Sequence, residues 1–552
     1  MKLCMAQINT LVGDYQGNTE QVLAVCAEAA ARDEHALVVF PELTLTGYPP
    51  EDLLLRPHLD RVIGRCLDRL FAELPPSLTV VVGYPRRTPQ GLFNAAGVIR
   101  GGELVGEYHK QCLPNYQVFD EVRYFRPGTD ACVVDIAGVP VGITICEDIW
   151  NPSPAAKARE AGAAMLINLN ASPFHQGKRR ERFDLVAERA RAHDFPVVYV
   201  NQVGGQDELV FDGGSFAVDA SGELVFAAPD FVEGCYWLDI DVDAETDASA
   251  ATRMPRIKPR IIPGTIAPEL EPVAAVWQAL VLGVRDYVEK NGFPGVVLGL
   301  SGGIDSAVTL AVAVDALGAD RVQAVMMPFR YTASISLEDA EAEARKLGVD
   351  YSVISIEPIY DAFMSALEPQ FDGTAPDVTE QNLQARARGV LLMSISNKKH
   401  KLVLTTGNKS ELAVGYSTLY GDMAGGFDAL KDCPKMLVYA LARYRNTVSP
   451  CIPERVITRA PSAELAPDQR DEDNLPPYEI LDQIIERYVE RDQHPEEIIE
   501  AGFTAEDVNR VVRLIDLNEY KRRQAPVGVR ITQRGFGRDR RYPISWAWRK
   551  AH

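Results

Sequence analysis

The chain has 552 residues, 46% of them hydrophobic, and a formal net charge of −20. This length exceeds one ordinary core, so two or more domains are expected, and the acidic balance argues against general nucleic-acid binding. No apolar run approaches the ~20 residues of a membrane span, and the N-terminus does not resemble a signal peptide. Nine scattered cysteines without a CxxC pair favour a cytoplasmic protein over a disulfide framework or zinc ribbon.

The first half, residues 1–243, alternates short apolar strands with helical stretches. Several strands are apolar on both faces, which is typical of a sheet covered by helices. The apolar runs predict strands at 2–7, 36–40, 78–82, 138–146, 164–168 and 196–201, and a helix at 18–32.

Three polar residues follow predicted strands of this half: Glu42, Lys110 and Cys146. A lone cysteine at the end of an apolar strand is usually a buried core residue. A reactive thiol needs a nearby cation, for which Lys110 is a candidate. A carboxylate such as Glu42 can take the thiol proton and later return it to a leaving group. The spacing leaves open whether the three side chains meet.

The residues around these three resemble the motifs of the nitrilase superfamily. The matching segments are 40–43 (FPEL), 108–110 (YHK), 145–148 (ICED), 113–116, 119–121, 170–174 and 203–213. The resemblance implies an α-β-β-α sandwich that hydrolyses a C–N bond through a thioester. It implies that Glu42 is the base, Cys146 the nucleophile and Lys110 the stabiliser of the tetrahedral oxyanion.

The glutaminase branch of that superfamily implies three further roles. Tyr116, Ser172 and Lys178 match positions that hold the L-glutamine substrate. The residues themselves leave an alternative, because Tyr116 can be a packing residue and Lys178 can belong to an exposed charged run.

A change of composition marks the domain boundary. Residues 244–272 begin with small and acidic residues and contain five prolines, which predicts an extended connector with little core of its own. The predicted domains are therefore 1–243 and 273–552, and a helix at 273–289 opens the second.

The second half is organised around a glycine-rich loop at 299–306, GLSGGIDS. The apolar run 296–298 predicts a strand before it, and 307–317 predicts a buried helix after it. Glycines let the backbone turn tightly, and the helix start adds unpaired N–H donors that favour phosphate. The Walker spacing and its lysine are absent. The alternative is a strand–turn–helix corner without a ligand.

The chain then alternates strand and helix. Strands are predicted at 321–328, 351–356 and 402–406, and helices at 336–347 and 380–397. This order predicts an α/β fold with a doubly wound parallel sheet, whose ligands lie beyond the carboxyl ends of the strands.

A polar stretch follows the last of these strands. Residues 406–412 (TGNKSEL) and 421–423 (GDM) supply hydroxyls, a lysine and two carboxylates. Two carboxylates with phosphate oxygens make an ordinary Mg²⁺ site. A helix start with Asn408 as its cap explains the same residues without a ligand.

The second half resembles the NAD synthetases among the ATP pyrophosphatases, and the whole chain resembles the glutamine-dependent members. The resemblance rests on 299–306, 327–340, Asn382, 406–412, 420–425, Lys435, 461–465 and Lys521. It implies that Gly299, Leu300, Ser301, Gly302, Gly303, Ile304, Asp305, Ser306 and Thr406 bind ATP. It implies that Asn382, Glu411 and Lys521 contact deamido-NAD, and that Asp305, Glu411 and Asp422 are candidate Mg²⁺ ligands.

The same resemblance implies the reaction: ATP adenylates deamido-NAD, and ammonia released from glutamine displaces AMP to give NAD. Because ammonia at neutral pH is mostly protonated, we expect a tunnel between the domains. The resemblance also implies a homo-oligomer built around a synthetase dimer.

Two alternatives stay open at this point. One is another loop-dependent amidation or a tRNA thiolation, and the other is a nucleotide-binding regulator with an inactive amidase. The C-terminal stretch 521–552, with ten Lys or Arg and one acid, is either a solvated basic tail or a local site for an anion.

Overall fold

The computed structural model describes residues 1–245, 256–461, 464–466 and 475–547. The chain forms two compact units, one of Met1–Gln206 with Val210–Leu270, the other of Asp207–Leu209 with Glu271–His552. Three predictions lie partly outside the described residues: the connector at 246–255, Ser462 and Ala463 of the motif at 461–465, and the end of the basic stretch at 548–552. None of the helices in the described part is long and apolar enough to cross a membrane.

In the residues that the structure describes, the first unit holds fifteen strands and four α-helices. The strands are β1 (Lys2–Gln7), β2 (Leu37–Val39), β3 (Thr79–Thr88), β4 (Gly91–Arg100), β5 (Glu103–His109), β6 (Cys132–Ile136), β7 (Val139–Ile145), β8 (Met165–Asn170), β9 (Val197–Asn201), β10 (Val203–Gln206), β11 (Leu209–Asp212), β12 (Phe216–Val218), β13 (Leu224–Ala227), β14 (Gly234–Glu245) and β15 (Arg256–Ile261). The helices are α1 (Tyr15–Arg32), α2 (Leu59–Glu73), α3 (Pro152–Glu160) and α4 (Lys178–His193).

These elements form the predicted α-β-β-α sandwich. One sheet has the order β15-β14-β1-β2-β3-β4-β5 and the other β13-β12-β9-β8-β7-β6, while β10 and β11 pair separately. A single buried cluster joins the two sheets, with Val39 and Val98 from the first and Ile143 and Val198 from the second. Helices α3 and α4 cover the outer face of the second sheet, and α2 contacts β3 of the first.

The stretch predicted as a connector contains a strand. β15 pairs antiparallel with β14, with Ile240 opposite Ile261 and Asp241 opposite Arg260. The Ile261 side chain is buried in the sandwich core. Because β15 is the edge strand of its sheet, Pro259 can sit in it without breaking an interior ladder. Proline content therefore marked an edge strand as well as a connector.

The second unit is an α/β layer followed by a helical region. Its strands are β16 (Val296–Gly299), β17 (Val322–Met326), β18 (Asp350–Val353), β19 (Leu402–Thr405), β20 (Phe427–Asp428) and β21 (Val527–Gly528). Its helices are α5 (Pro272–Lys290), α6 (Ile304–Leu317), α7 (Ser334–Leu347), α8 (Glu357–Phe371), α9 (Val378–Lys399), α10 (Lys409–Val414), α11 (Lys435–Val448), α12 (Glu454–Thr458), α13 (Tyr478–Ile485), α14 (Pro495–Glu500), α15 (Ala505–Leu517) and α16 (Glu519–Arg522).

The sheet of the second unit is parallel, as predicted, with the order β18-β17-β16-β19-β20-β21. The chain builds outward from β16 to β18 and then returns to place β19 on the other side of β16. The order therefore reverses between β16 and β19, which is where ligands bind in such sheets. The glycine-rich loop follows β16, and Thr406 follows β19.

Candidate active sites

The first candidate site is built around Cys146. The residue follows β7, is 4% exposed, and has a φ of 44°. A non-glycine residue in this left-handed region is strained and is held by its surroundings. Asp148 fixes the backbone at this turn, because its carboxylate accepts hydrogen bonds from the backbone N–H groups of Ile145 at 3.0 Å and Cys112 at 2.8 Å.

Lys110 lies between two carboxylates in the same interior. Its ammonium donates to Glu42 at 2.7 Å and to both oxygens of Glu121 at 2.8 and 2.9 Å. Lys110 and Glu42 have fully buried side chains. Glu42 also accepts from the Asn94 side chain at 2.7 Å and from the Ala171 backbone at 3.1 Å. The structure therefore brings Glu42 and Lys110 into direct contact, although their sequence positions are far apart.

Electrostatics keep the resting thiol protonated. Burial raises the pKa of Cys146 well above its usual value, and the charge of Glu42 raises it further, while Lys110 opposes both. Burial alone would lower the pKa of Lys110, but Glu121 and Glu42 raise it well above its usual value. The site thus stores a permanent cation beside a neutral thiol, and the nucleophile forms only when a base removes its proton.

Glu121 belongs to the same cluster of buried charges, and the sequence analysis assigned it no role. Burial and repulsion from Glu42 raise its pKa to about 7 against the attraction of Lys110. The Tyr48 hydroxyl donates to it at 2.9 Å. The only sequence signal was its place in the resembling segment 119–121, because nothing local predicts that Glu121 reaches Lys110.

The predicted glutamine-binding residues lie around the same site. The Tyr116 hydroxyl, on a half-exposed side chain, donates to the Glu147 carboxylate at 2.9 and 3.0 Å. The Lys178 ammonium lies 3.9 Å from the centre of the Trp150 ring. Glu147 and Trp150 both follow Cys146 within four residues, so Tyr116 and Lys178 contact the turn that begins at Cys146.

Ser172 is held by Arg182. The Arg182 guanidinium donates to the Ser172 hydroxyl at 3.1 Å and to its carbonyl at 2.7 Å. The same guanidinium makes a buried ion pair with Asp212 at 2.8 Å. Arg182 therefore fixes the backbone that carries Ser172, a contact that the sequence analysis did not predict.

The second candidate site is a cavity of about 300 Å³ at the reversal of the parallel sheet. All the predicted ATP-binding residues except Gly302 line it. Gly302 has a φ of 79°, and a Cβ there would lie 2.3 Å from the Ser336 carbonyl oxygen. Only glycine fits this position, so the tight loop of the sequence motif is also a close approach to α7.

The two serines of the loop bond to each other. The Ser301 and Ser306 hydroxyls are 3.0 Å apart, and the backbone N–H of Ser301 donates to the Ser306 hydroxyl at 3.2 Å. The Ser306 hydroxyl donates in turn to the Gly303 carbonyl at 3.0 Å. These bonds preform the turn at the start of α6.

Lys435 lies between two of the predicted metal ligands. Its ammonium is 2.6 Å from Asp305 and 3.0 Å from Glu411, and all three residues line the cavity. Asn408 caps α10 as predicted, and its side-chain amide donates to Asp305 at 2.9 Å. Lys435 belonged to a resembling segment, but the sequence assigned it no contact.

The predicted Mg²⁺ ligands do not form one cluster. In the part of the chain that the structure describes, no group of three or more His, Cys, Asp or Glu side chains is placed to hold a metal ion. Asp422 lines the cavity, but its carboxylate accepts from the Thr418 backbone N–H at 2.7 Å. Asp305 and Glu411 lie close to one another. Two carboxylates suit a Mg²⁺ ion whose remaining ligands are water molecules or substrate phosphates.

Two predicted deamido-NAD contacts lie behind the cavity wall. The Lys521 ammonium donates to the Gly415 and Ser417 carbonyls at 2.7 and 2.9 Å. The Thr418 hydroxyl donates to the Asn382 side chain at 2.9 Å. Neither Asn382 nor Lys521 lines the cavity, whereas Glu411 does. Both residues therefore hold the 415–418 segment, which lines the cavity through Tyr416 and Ser417.

Much of the basic C-terminal stretch is neutralised internally. Ion pairs join Arg522 and Arg540 to Glu519, both at 2.9 Å, and Arg530 to Asp539 at 2.7 Å. These arginines are buried, so they serve packing and do not form a free anion site.

Comparisons with known proteins match each half of the chain to a family model. The carbon–nitrogen hydrolase family model matches residues 2–249, and the NAD synthase family model matches residues 276–525. The chain is 48% identical over 551 residues to the glutamine-dependent NAD(+) synthetase of Acinetobacter baylyi, covering 99% of each chain. It is 44% identical over 569 residues to that of Thermotoga maritima, covering 99% of this chain and 98% of the relative.

A solved structure shows the same architecture. The glutamine-dependent NAD⁺ synthetase of Acinetobacter baumannii, in complex with ADP, is 45% identical and superposes with a TM-score of 0.78 over 98% of each chain. Because glutamine-dependent NAD(+) synthetases match nearly the whole chain at 44% and 48% identity, the chain belongs to the glutamine-dependent NAD(+) synthetase family.

Proposed function

We propose that this protein makes NAD by ATP-dependent amidation of deamido-NAD, using ammonia that its first unit releases from L-glutamine. This is the last step of NAD biosynthesis. The observation that carries the proposal is the presence, in one chain, of a buried thiol beside Lys110 and Glu42 and of a cavity built on the 299–306 loop.

In the first unit, Cys146 attacks the side-chain amide of glutamine. Glu42 takes the thiol proton and passes it to the leaving ammonia, and Lys110 stabilises the tetrahedral oxyanion. The backbone N–H of Glu147 is a second oxyanion donor. Water then hydrolyses the thioester to glutamate. Because Lys110 stays charged throughout, no proton has to be moved onto it during the reaction.

We assign glutamine recognition to the rim of this site. The Glu147 carboxylate, which Tyr116 orients, takes the α-ammonium group, and Lys178 takes the α-carboxylate. Ser172 contributes through the backbone that Arg182 fixes. Burial lowers the pKa of Lys178, and the charge of Arg182 lowers it further, while Glu181, which accepts a hydrogen bond from the Lys178 ammonium at 3.2 Å, opposes both.

In the second unit, the nicotinate carboxylate of deamido-NAD attacks the α-phosphorus of ATP. The 299–306 loop and Thr406 hold the phosphates through backbone N–H groups and hydroxyls. Asp305 and Glu411 are the residues that would hold a Mg²⁺ ion, and such an ion would supply positive charge for the departing pyrophosphate. Asp422 is a further candidate ligand. Glu411, Asn382 and Lys521 shape the deamido-NAD side.

The test is NAD formation with glutamine or ammonium as nitrogen source, in wild type and Cys146→Ala. We expect the variant to lose the glutamine-driven reaction and keep the ammonium-driven one. If wild type makes no NAD from either source, the synthetase proposal is wrong. The tunnel is tested by running the glutamine-driven reaction in excess ¹⁵NH₄⁺ and measuring ¹⁵N in the NAD product. Nitrogen that passes through a tunnel stays unlabelled.

A further inference from the structure

Asp148 is a fully buried acid of the first unit, and the mechanism proposed above gives it no task. Both oxygens of its carboxylate accept hydrogen bonds. Oδ1 accepts from the backbone N–H groups of Gln111 at 3.0 Å and Cys112 at 2.8 Å. Oδ2 accepts from the backbone N–H of Ile145 at 3.0 Å and from the Tyr108 hydroxyl at 2.8 Å. A carboxylate has about four acceptor positions, so the four donors use all of them.

The four donors belong to the two segments that carry the reacting groups. Three of them come from residues 108–112, on either side of Lys110. The fourth comes from Ile145, the residue before Cys146. The first segment leaves β5 of one sheet and the second leaves β7 of the other. Asp148 therefore ties the two sheets together at the ends of the strands that present these groups.

The backbone on both sides needs such an acceptor. Residues 110–112 have left β5 and belong to no helix or strand, and the turn at Cys146 has a φ of 44°. Backbone N–H groups that leave a strand ladder require other partners, and one carboxylate supplies them for both segments. Burial raises the pKa of Asp148, while these hydrogen bonds and the charge of Lys110 oppose the rise.

Glutamine hydrolysis depends on the spacing of the two segments. When the Cys146 sulfur bonds to the amide carbon, Glu42 takes the thiol proton and the C=O electron pair moves to oxygen. That oxygen is then stabilised by the Lys110 ammonium and the Glu147 N–H. Such donors are effective only when they are held about 3 Å from the place where the charge develops. Because Lys110 and Glu147 lie on different segments, neither segment alone sets the distance between them.

We propose, on the basis of the function proposed above, that Asp148 is a positioning residue for glutamine hydrolysis. Its carboxylate sets the spacing between the two oxyanion donors by holding the backbone that carries each of them. Glu42 and Glu121 hold the ammonium end of Lys110. The side chain and the backbone of this lysine are therefore fixed by different acids.

The first experiment uses Asp148→Asn in the full chain, an isosteric change that exchanges one accepting oxygen for an NH₂ donor. We expect kcat for glutamine hydrolysis to fall by about 10²-fold, as for a misplaced catalytic group, with KM within about threefold of wild type. Ammonium-driven NAD formation should not change, which also shows that the variant is folded. The control is Asp68→Asn, which alters an exposed acid on α2.

Tyr108→Phe is a milder second variant, which removes one of the four hydrogen bonds and decides the question if Asp148→Asn does not fold. Its kcat should fall by about 3- to 10-fold, the size of one hydrogen bond, at an unchanged KM. Alkylation of Cys146 by iodoacetamide adds a readout without an oxyanion, because sulfur displaces iodide from a saturated carbon. Both variants should be alkylated within about threefold of the wild-type rate.

Three outcomes overturn the proposal. An unchanged kcat in the folded variants would leave Asp148 without a role in the reaction. A raised KM at constant kcat would make it part of glutamine binding. An equal loss of alkylation and hydrolysis would show a general disruption of the site. A wild type that hydrolyses no glutamine would instead overturn the proposed function, so the two failures are distinguishable.

Discussion

Each candidate site contains a buried lysine, and the two lysines differ in how exposed their carboxylate partners are. Lys110 is enclosed with its carboxylates, since its side chain and that of Glu42 are fully buried and that of Glu121 is 6% exposed. Lys435 is almost as buried, at 2%, but its partners Asp305 and Glu411 are 17% and 19% exposed and line an open cavity. The difference follows from the substrates proposed for each site.

Thiol chemistry needs a closed, preorganised interior, in which a permanent cation acts on a small developing charge. A nucleotide site must admit a large polyanion, so its charges stay within reach of solvent and ligand. In the proposed mechanism, the buried lysine of the first site is a fixed part of the catalyst, while the lysine of the second site offsets carboxylates that would repel phosphate. The predictions below test this difference, in order of expected effect.

The largest effect is expected for Lys435→Met. Removing the ammonium leaves Asp305 and Glu411 with one positive charge fewer to offset them as the phosphates enter. We expect NAD formation from either nitrogen source to fall by about 10³-fold or more, while glutamine hydrolysis measured without ATP stays within a few-fold of wild type. NAD formation within tenfold of wild type would contradict this role.

Lys110→Met is the reciprocal change. It should lower glutamine hydrolysis by about 10²- to 10³-fold and leave ammonium-driven NAD formation intact. Because two carboxylates lose their buried partner, unfolding in denaturant should show a loss of about 3–5 kcal/mol. Lys435→Met should lower the free energy of unfolding less than Lys110→Met does. Equal losses for the two variants would contradict the distinction between an enclosed and an open site.

A smaller effect is expected for Lys178→Met. Because the ammonium over Trp150 is proposed to bind the substrate α-carboxylate, KM for glutamine should rise about 10- to 100-fold, as expected for a charge-assisted contact. The ammonium-driven reaction should not change. The matched control is Arg180→Met, an exposed cation on the same helix. A change in kcat without a change in KM would argue for a structural role.

The smallest effect concerns stability far from the reaction chemistry. Glu343 is 1% exposed, and burial together with Asp339 raises its pKa well above the usual value. Its neutral form contributes stability that is fully present below the unfolded pKa of about 4.5 and is lost as the pH rises toward the folded pKa. Glu343→Gln should therefore gain stability over wild type between pH 5 and 8, by at most about 1.4 kcal/mol per pH unit.

Denaturant midpoints across this pH range measure the effect. The control is Glu341→Gln, an exposed acid on the same helix, whose curve should run parallel to wild type. A Glu343→Gln curve that is also parallel to wild type would show that the carboxyl does not take up a proton on folding.

The sequence alone predicted both folds, and it named residues that the structure brings together at each candidate site. Apolar runs predicted the strands because their residues are buried on both sides. Glycine spacing predicted the tight turn at 299–306 because only glycine fits at Gly302. The prolines around Pro259 were less informative, because proline marks edge strands as well as connectors, and β15 pairs with β14.

Contacts between distant segments were decided only by the tertiary structure. Glu121 contacts Lys110, and Lys435 joins Asp305 to Glu411, yet no local pattern distinguishes these acids and lysines from surface charges. The same holds for Lys521 and Asn382, which sit behind the cavity wall. A sequence determines which groups are available and which segments are buried, whereas pKa values and partners depend on distances that exist only after the chain has folded.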